Sequence, residues 1–261
     1  MVINPLLVRQ RPFDILISLI LLILLSIYSP VHAAEVADMS NVKDLLKSGK
    51  IAEASALLQQ EINAHPGNAE AHQLIGRVYL LAGDEVKASE AFDKAVSLDK
   101  GYREKVLFEY YEAGLILLKD PKKSNVGLHY LNKYLHDRPD KGIEFAAIFY
   151  TGGFKMIEAN KFMAHVILER AKELNPSYEK DEGFYFSYSV KSAHKPADVI
   201  SGGENFLARF PQSSSAAEVL YLMGEASQDL HKPQEARKYF YRASKEFPET
   251  EWGKKAASKL K

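Results

Sequence analysis

The side chains best suited to chemistry in this 261-residue chain are its eight histidines and a few close carboxylates. His65 and His72, and likewise His129 and His136, stand seven residues apart, a spacing that returns to the same helix face. His32, His165, His194 and His231 are scattered, and none of the eight belongs to a His-Glu-x-x-His arrangement, the helical pattern of zinc hydrolases. Asp44 with Glu53 and Glu169 with Glu173 are candidate acid pairs, but each falls on a helix face expected to be solvated, where the environment that separates two carboxylate roles is missing. Ser201-Gly202-Gly203 lacks the residues of a phosphate loop, and neither a nucleophile elbow nor a dinucleotide fingerprint occurs. The expectation is a protein with no catalytic, cofactor or metal site, and therefore not an enzyme.

What is left is a surface, whose placing depends on the helices that carry it. In Asn68 to Lys100, Leu74, Ile75, Val78, Tyr79 and Leu81 recur at helical spacing around Gly76. After the turn Ala82-Gly83-Asp84, the residues Val86, Ala88, Ala91, Phe92, Ala95 and Val96 form a second apolar stripe. One hairpin cannot bury both faces, so neighbouring copies must cover them. Prolines recur in step at Pro66, Pro139, Pro176, Pro211 and Pro248, at intervals of 73, 37, 35 and 37 residues. Proline cannot continue a helix, so each marks the end of a hairpin, the first interval holding two of them.

The order and spacing of Gly76, Tyr79, Ala88, Phe92 and Ala95 resemble the tetratricopeptide repeat, a helix-turn-helix unit of about 34 residues. The resemblance implies an all-α fold: an αα-hairpin repeat solenoid wound as a right-handed superhelix, over residues 35–249, with about six hairpins. The units near 105–140 and 178–211 diverge. In the latter, Gly202-Gly203 predicts a loosened second helix, because glycine disfavours helix interiors. In the fourth unit Gly152 is placed at the small-residue position. Residues 250–261 read as a capping helix with Trp252, Ala256 and Leu260 inward. The ending Phe247 to Ala256 resembles the closing repeat of bacterial envelope proteins, without the lipidated cysteine or coiled coil that two such proteins carry.

In this family the first helix of each hairpin lines the concave face. That register implies partner-binding positions at Gln73 and Arg77, then Glu112, Phe149, Met156, Phe184 and Tyr188, and finally Tyr221 and Glu225. Leu80 and Ile116 accompany them. Phe149, Phe184 and Tyr221 suit two placements, groove anchor or packing between units.

Residues 1–33 read as a secretory signal: Arg9 and Arg11 precede an apolar run from Ile15 to Tyr28, Pro30 breaks it, and Val31-His32-Ala33 offers a cleavage site. A retained segment would instead tether the chain to the inner membrane, facing the periplasm. The absence of cysteine excludes disulfides and a lipid-modified cysteine. With 34 basic and 34 acidic residues, the chain has no electrostatic reason to bind nucleic acid. The functional expectation is a non-catalytic periplasmic scaffold for a protein or peptide, in cell-envelope assembly or secretion. Tyr185, Tyr188 and Tyr221 motivate an alternative, a glycan-binding or carbohydrate-processing accessory.

Overall fold

The computed structural model describes residues 39–261, and the predicted signal segment lies outside them. The chain divides into two compact units, one ending at Arg103 and the other spanning Glu104–Lys261. Among the described residues every regular element is helical. No helix among them is long and apolar enough to cross a membrane.

The first unit holds two hairpins, α1 (Met39–Lys47) with α2 (Ile51–Ala64), and α3 (Ala69–Ala82) with α4 (Glu85–Leu98). Its core joins Val42 and Leu46 of α1, Ala54 and Leu58 of α2, and Leu74, Ile75 and Val78 of α3. The turn between α3 and α4 is the expected one. Gly83 closes α3 at φ 85°, a left-handed conformation that glycine adopts at no steric cost, and the Asp84 carboxylate accepts from the Lys87 N–H to start α4. Gly76 meets Phe92 across this hairpin so closely that any Cβ would overlap the ring.

Asn68 does two things at the head of α3. Its side-chain oxygen accepts from the Glu70 and Ala71 N–H groups, and its amide nitrogen donates to the Glu61 carboxylate at 2.7 Å. Glu61 is buried, and His65 also contacts it at 3.1 Å. Asn68→Ala is therefore expected to cost about 1–2 kcal/mol, the value of a lost cap plus a weakened buried carboxylate. A thermal melt that leaves the midpoint unmoved would refute that.

The second unit continues from α5 (Tyr102–Leu118), whose first two residues close the preceding unit, through α6 (Ser124–Asp137), α7 (Gly142–Met156) and α8 (Lys161–Leu174). Then come α9 (Glu182–Phe186), running directly into a π-helix over Ser187–Lys191, and α10 (Pro196–Arg209), α11 (Ala216–Asp229), α12 (Pro233–Glu246) and α13 (Glu251–Ser258). Each of the five prolines stands two residues beyond a helix end, after Ala64, Asp137, Leu174, Arg209 and Glu246. Lys100 holds the same place after Leu98.

The close-approach contact of Gly76 with Phe92 returns in this unit. An added Cβ on Gly114 would lie 2.7 Å from Leu131, on Gly153 2.7 Å from Leu168, and on Gly224 2.5 Å from Phe240. In α7 the matching residue is thus Gly153, not the Gly152 expected from sequence, because two adjacent glycines leave the register undetermined until a partner helix selects one.

The expectation of a loosened second helix near Gly202-Gly203 is also corrected. The α10 helix is an unbroken 14-residue element, and the irregularity lies in the first helix, as the π-turn. Gly202 is the residue on which the Ser189 carbonyl rests, and Gly203 faces Met223, so the two glycines mark tight packing rather than weakness. Ser187, Ser189 and Ser192 each donate a hydroxyl to the carbonyl four residues back, a bond that competes with the regular ladder and bends helices. At the end of the chain, Thr250 caps α13. Ala256 of α13 is buried, with Trp252 and Leu260 partly so, against Tyr221 and Phe240.

Candidate functional site

Taking the close-approach glycine of a hairpin as reference, Gln73 and Arg77 lie three residues before and one after Gly76. The same offsets from Gly114 give Tyr111 and Leu115. Both line a groove of about 750 Å³ between α5 and α7. Its floor is apolar, with Leu118, Ile148 and Met156 beneath Thr151. Gly152 lies in the wall, where a Cβ would stand 3.1 Å from Leu118. The two neighbouring glycines of α7 therefore do different work. Gly153 lets α8 approach, and Gly152 keeps the groove open.

The Tyr111 phenol has a raised pKa, first because it is partly buried and then because the Glu144 and Glu112 carboxylates oppose its ionisation. It remains a neutral donor at the groove wall. Glu144, on the same rim, pairs with Lys141 at 3.1 Å.

The residues expected at the partner face have varied surroundings. Gln73 and Arg77 are half-buried on α3 in the first unit, and neither lacks a partner. Leu80 has no exposure. Glu112 is half-buried beside the groove-lining Tyr111, and Ile116 is 46% exposed. Met156 reaches the groove floor while itself 4% exposed.

Phe149 and Phe184 have no exposure at all. Phe149 meets Phe145 edge-on at 5.8 Å, and Phe184 packs against Tyr150, Tyr178 and Tyr188. Of the two placements open to them, they occupy the packing one. Tyr221 is covered by Trp252 of α13 at 5.1 Å, and its hydroxyl donates to Glu225, which also accepts from Lys259. That pair seats the capping helix.

Tyr188 closes a polar cluster between the π-helix and α8. Its hydroxyl donates to Glu169 and accepts from Lys172 at 3.2 Å, and its ring stacks on His165 at 4.7 Å. His165 in turn contacts the Ser192 hydroxyl at 3.1 Å. Burial raises the Tyr188 pKa, and its bond to Glu169 adds to that. For Glu169 burial acts upward, but the bonds from Tyr188 and Lys172 outweigh it and lower its pKa. Glu173 is paired with Arg170 at 2.6 Å. Of the other residues considered for chemistry, His72 bonds the Pro66 carbonyl, Asp44 lies near Lys47 and Glu53 near Lys50.

Sequence reasoning missed Tyr111, Leu115, Leu118, Ile148 and Thr151. The signal was present for Tyr111 and Leu115, since the offsets read from Gly76 reach them directly from Gly114. The same offsets from Gly153 give Tyr150 and Phe154, which do not line the groove, so only the tertiary structure shows that Ile148, Thr151 and Gly152 do.

Residues 40–103 match the family model described as tetratricopeptide repeat. Among curated proteins none matches the chain. Among solved structures, the chain is similar to PilW, described as a widely conserved type IV pilus biogenesis factor. The two are 17% identical with a TM-score of 0.40, over 84% of this chain and 96% of that one. It is also similar to PilF of Pseudomonas aeruginosa, at 16% identity and a TM-score of 0.34, over 85% of this chain and 95% of that one. Likenesses of this degree carry no information on role. The family match falls within the first compact unit and takes in its Gly76–Phe92 contact, so residues 40–103 are tetratricopeptide-repeat sequence.

Proposed function

We propose that this protein is a non-catalytic scaffold that holds a segment of a protein partner in the groove between α5 and α7, in the periplasm, as part of cell-envelope assembly or secretion. The observation that carries the reading is the groove itself: an open, apolar channel between two first-helices, lined on α5 by Tyr111 and Leu115 at the positions equivalent to Gln73 and Arg77. Open apolar channels between helices are where extended or helical peptides dock. The envelope location rests on the signal-like residues 1–33. The glycan alternative loses its motive, since Tyr188 and Tyr221 are engaged as described. Tyr185 packs against Phe206 and Phe210, with the Arg209 guanidinium 4.6 Å above its ring.

Thr151 is exposed on the groove wall, so Thr151→Glu adds a charge to the channel without touching the core. It is expected to reduce partner capture at least tenfold. The measurement is photo-crosslinking in the native envelope from a benzophenone residue at position 115, with the exposed Lys238 on α12, away from the groove, as the comparison position. Adducts specific to position 115 and lost in Thr151→Glu support the reading. Identical adducts from both positions, or none from 115, overturn it.

A further inference from the structure

The groove is not electrically uniform. Glu144 lies near the start of α7 and Lys155 near its end, eleven residues on, or about 16 Å along the axis. That length accommodates about five residues of extended chain. At the Glu144 end the carboxylate is already matched by Lys141. At the other end Lys119 and Lys155 both border the groove, both are exposed, and neither ammonium forms an ion pair among the described residues. Lys122 and Lys123 follow on the same loop, together with the Asp120 carboxylate, which accepts from the Lys122 main-chain N–H at 2.9 Å. The C-terminal ends of α5 and α7 each contribute about half a negative charge and Asp120 a full one, which the ammonium groups of Lys119, Lys122, Lys123 and Lys155 together more than offset. The result is an apolar channel that opens, at one end only, onto net positive charge.

We propose that the partner segment held here is polar in the same sense: about five apolar residues followed by acidic side chains, which lie against Lys119 and Lys155. This rests on the groove being a peptide site at all, and the test separates the two ideas. Exposed ion pairs are each worth about a two- to fivefold change in affinity, and salt weakens them. The direction of preference is therefore more informative than its size.

The probes are fluorescent peptides, blocked at both ends so that no terminal charge contributes. Each has five apolar residues followed by three glutamates, three glutamines or three lysines. Binding to the full chain is read by fluorescence anisotropy at low and high salt. The expected order is glutamate over glutamine over lysine, about tenfold from first to last, flattening at high salt. The double variant Lys119→Glu/Lys155→Glu should reverse the order, and because both positions are solvent-exposed its thermal midpoint should match that of the unaltered chain. Equal binding of all three peptides that Thr151→Glu abolishes overturns the charge preference and leaves the groove reading intact. The lysine peptide binding most tightly also overturns the preference. No binding, or binding that Thr151→Glu leaves unchanged, overturns the groove reading itself.

Discussion

Phe149→Ala is expected to lower folding stability by about 3–5 kcal/mol, the cost of emptying a fully buried phenylalanine site. The ring has no exposed surface and meets Phe145 edge-on. Truncation removes its transfer free energy and leaves a cavity that two helices already held by Gly153 and Leu168 cannot collapse into. In a stacked array each hairpin is stabilised by its neighbours, so the loss should spread to α8 rather than remain local. Urea denaturation followed by circular dichroism measures it. Thr151→Glu, two residues along the same helix but exposed, should stay within about 0.5 kcal/mol of the unaltered chain. The pair thereby separates stability from binding. Phe149→Ala should lose partner only by unfolding, and Thr151→Glu should lose it while folded. An unshifted midpoint for Phe149→Ala would place the ring outside the core and undo the register of α7.

The second large effect is expected at Gly202. Alanine is the better helix former by about 1 kcal/mol, and α10 is a regular helix, so propensity alone favours Gly202→Ala. Packing opposes it. The methyl group would fall on the Ser189 carbonyl, which is main chain and cannot rotate aside. Overpacking of that kind costs about 1–3 kcal/mol or more, and the π-turn must move as a body to relieve it. The net expectation is a loss of about 2 kcal/mol. Gly67 is the comparison, with open space around it and no positive φ. There Ala should be neutral or stabilising by about 0.4–1 kcal/mol. A Gly202→Ala protein as stable as Gly67→Ala would mean that α10 and the π-helix do not touch as described.

These two sites also mark how far the chain could be read as letters. Hairpin ends were legible because proline and left-handed glycine act through their own backbone: Pro139, Pro176, Pro211 and Pro248 stop helices whatever surrounds them, and Gly83 turns the chain by itself. The apolar stripes of α3 and α4 were legible because burial follows helical period. Gly152 and Gly153, by contrast, are the same residue type in the same helix. Only the approach of Leu168 makes one a packing site and the other part of a groove wall.

The sequence alone determined that this protein is built of helical hairpins in the tetratricopeptide pattern, how long each is, and that its histidines and carboxylates have no recognisable catalytic spacing. Those properties are local or periodic, and the chain carries them without reference to distant residues. Tertiary structure decided which side chains remain available to a partner. Tyr188 and Tyr221 are indistinguishable from surface anchors until α8 supplies Glu169, Lys172 and His165 to the one and α13 folds Trp252 over the other. Exposure belongs to a pair of packed surfaces rather than to a residue, so it is settled only when the second surface arrives.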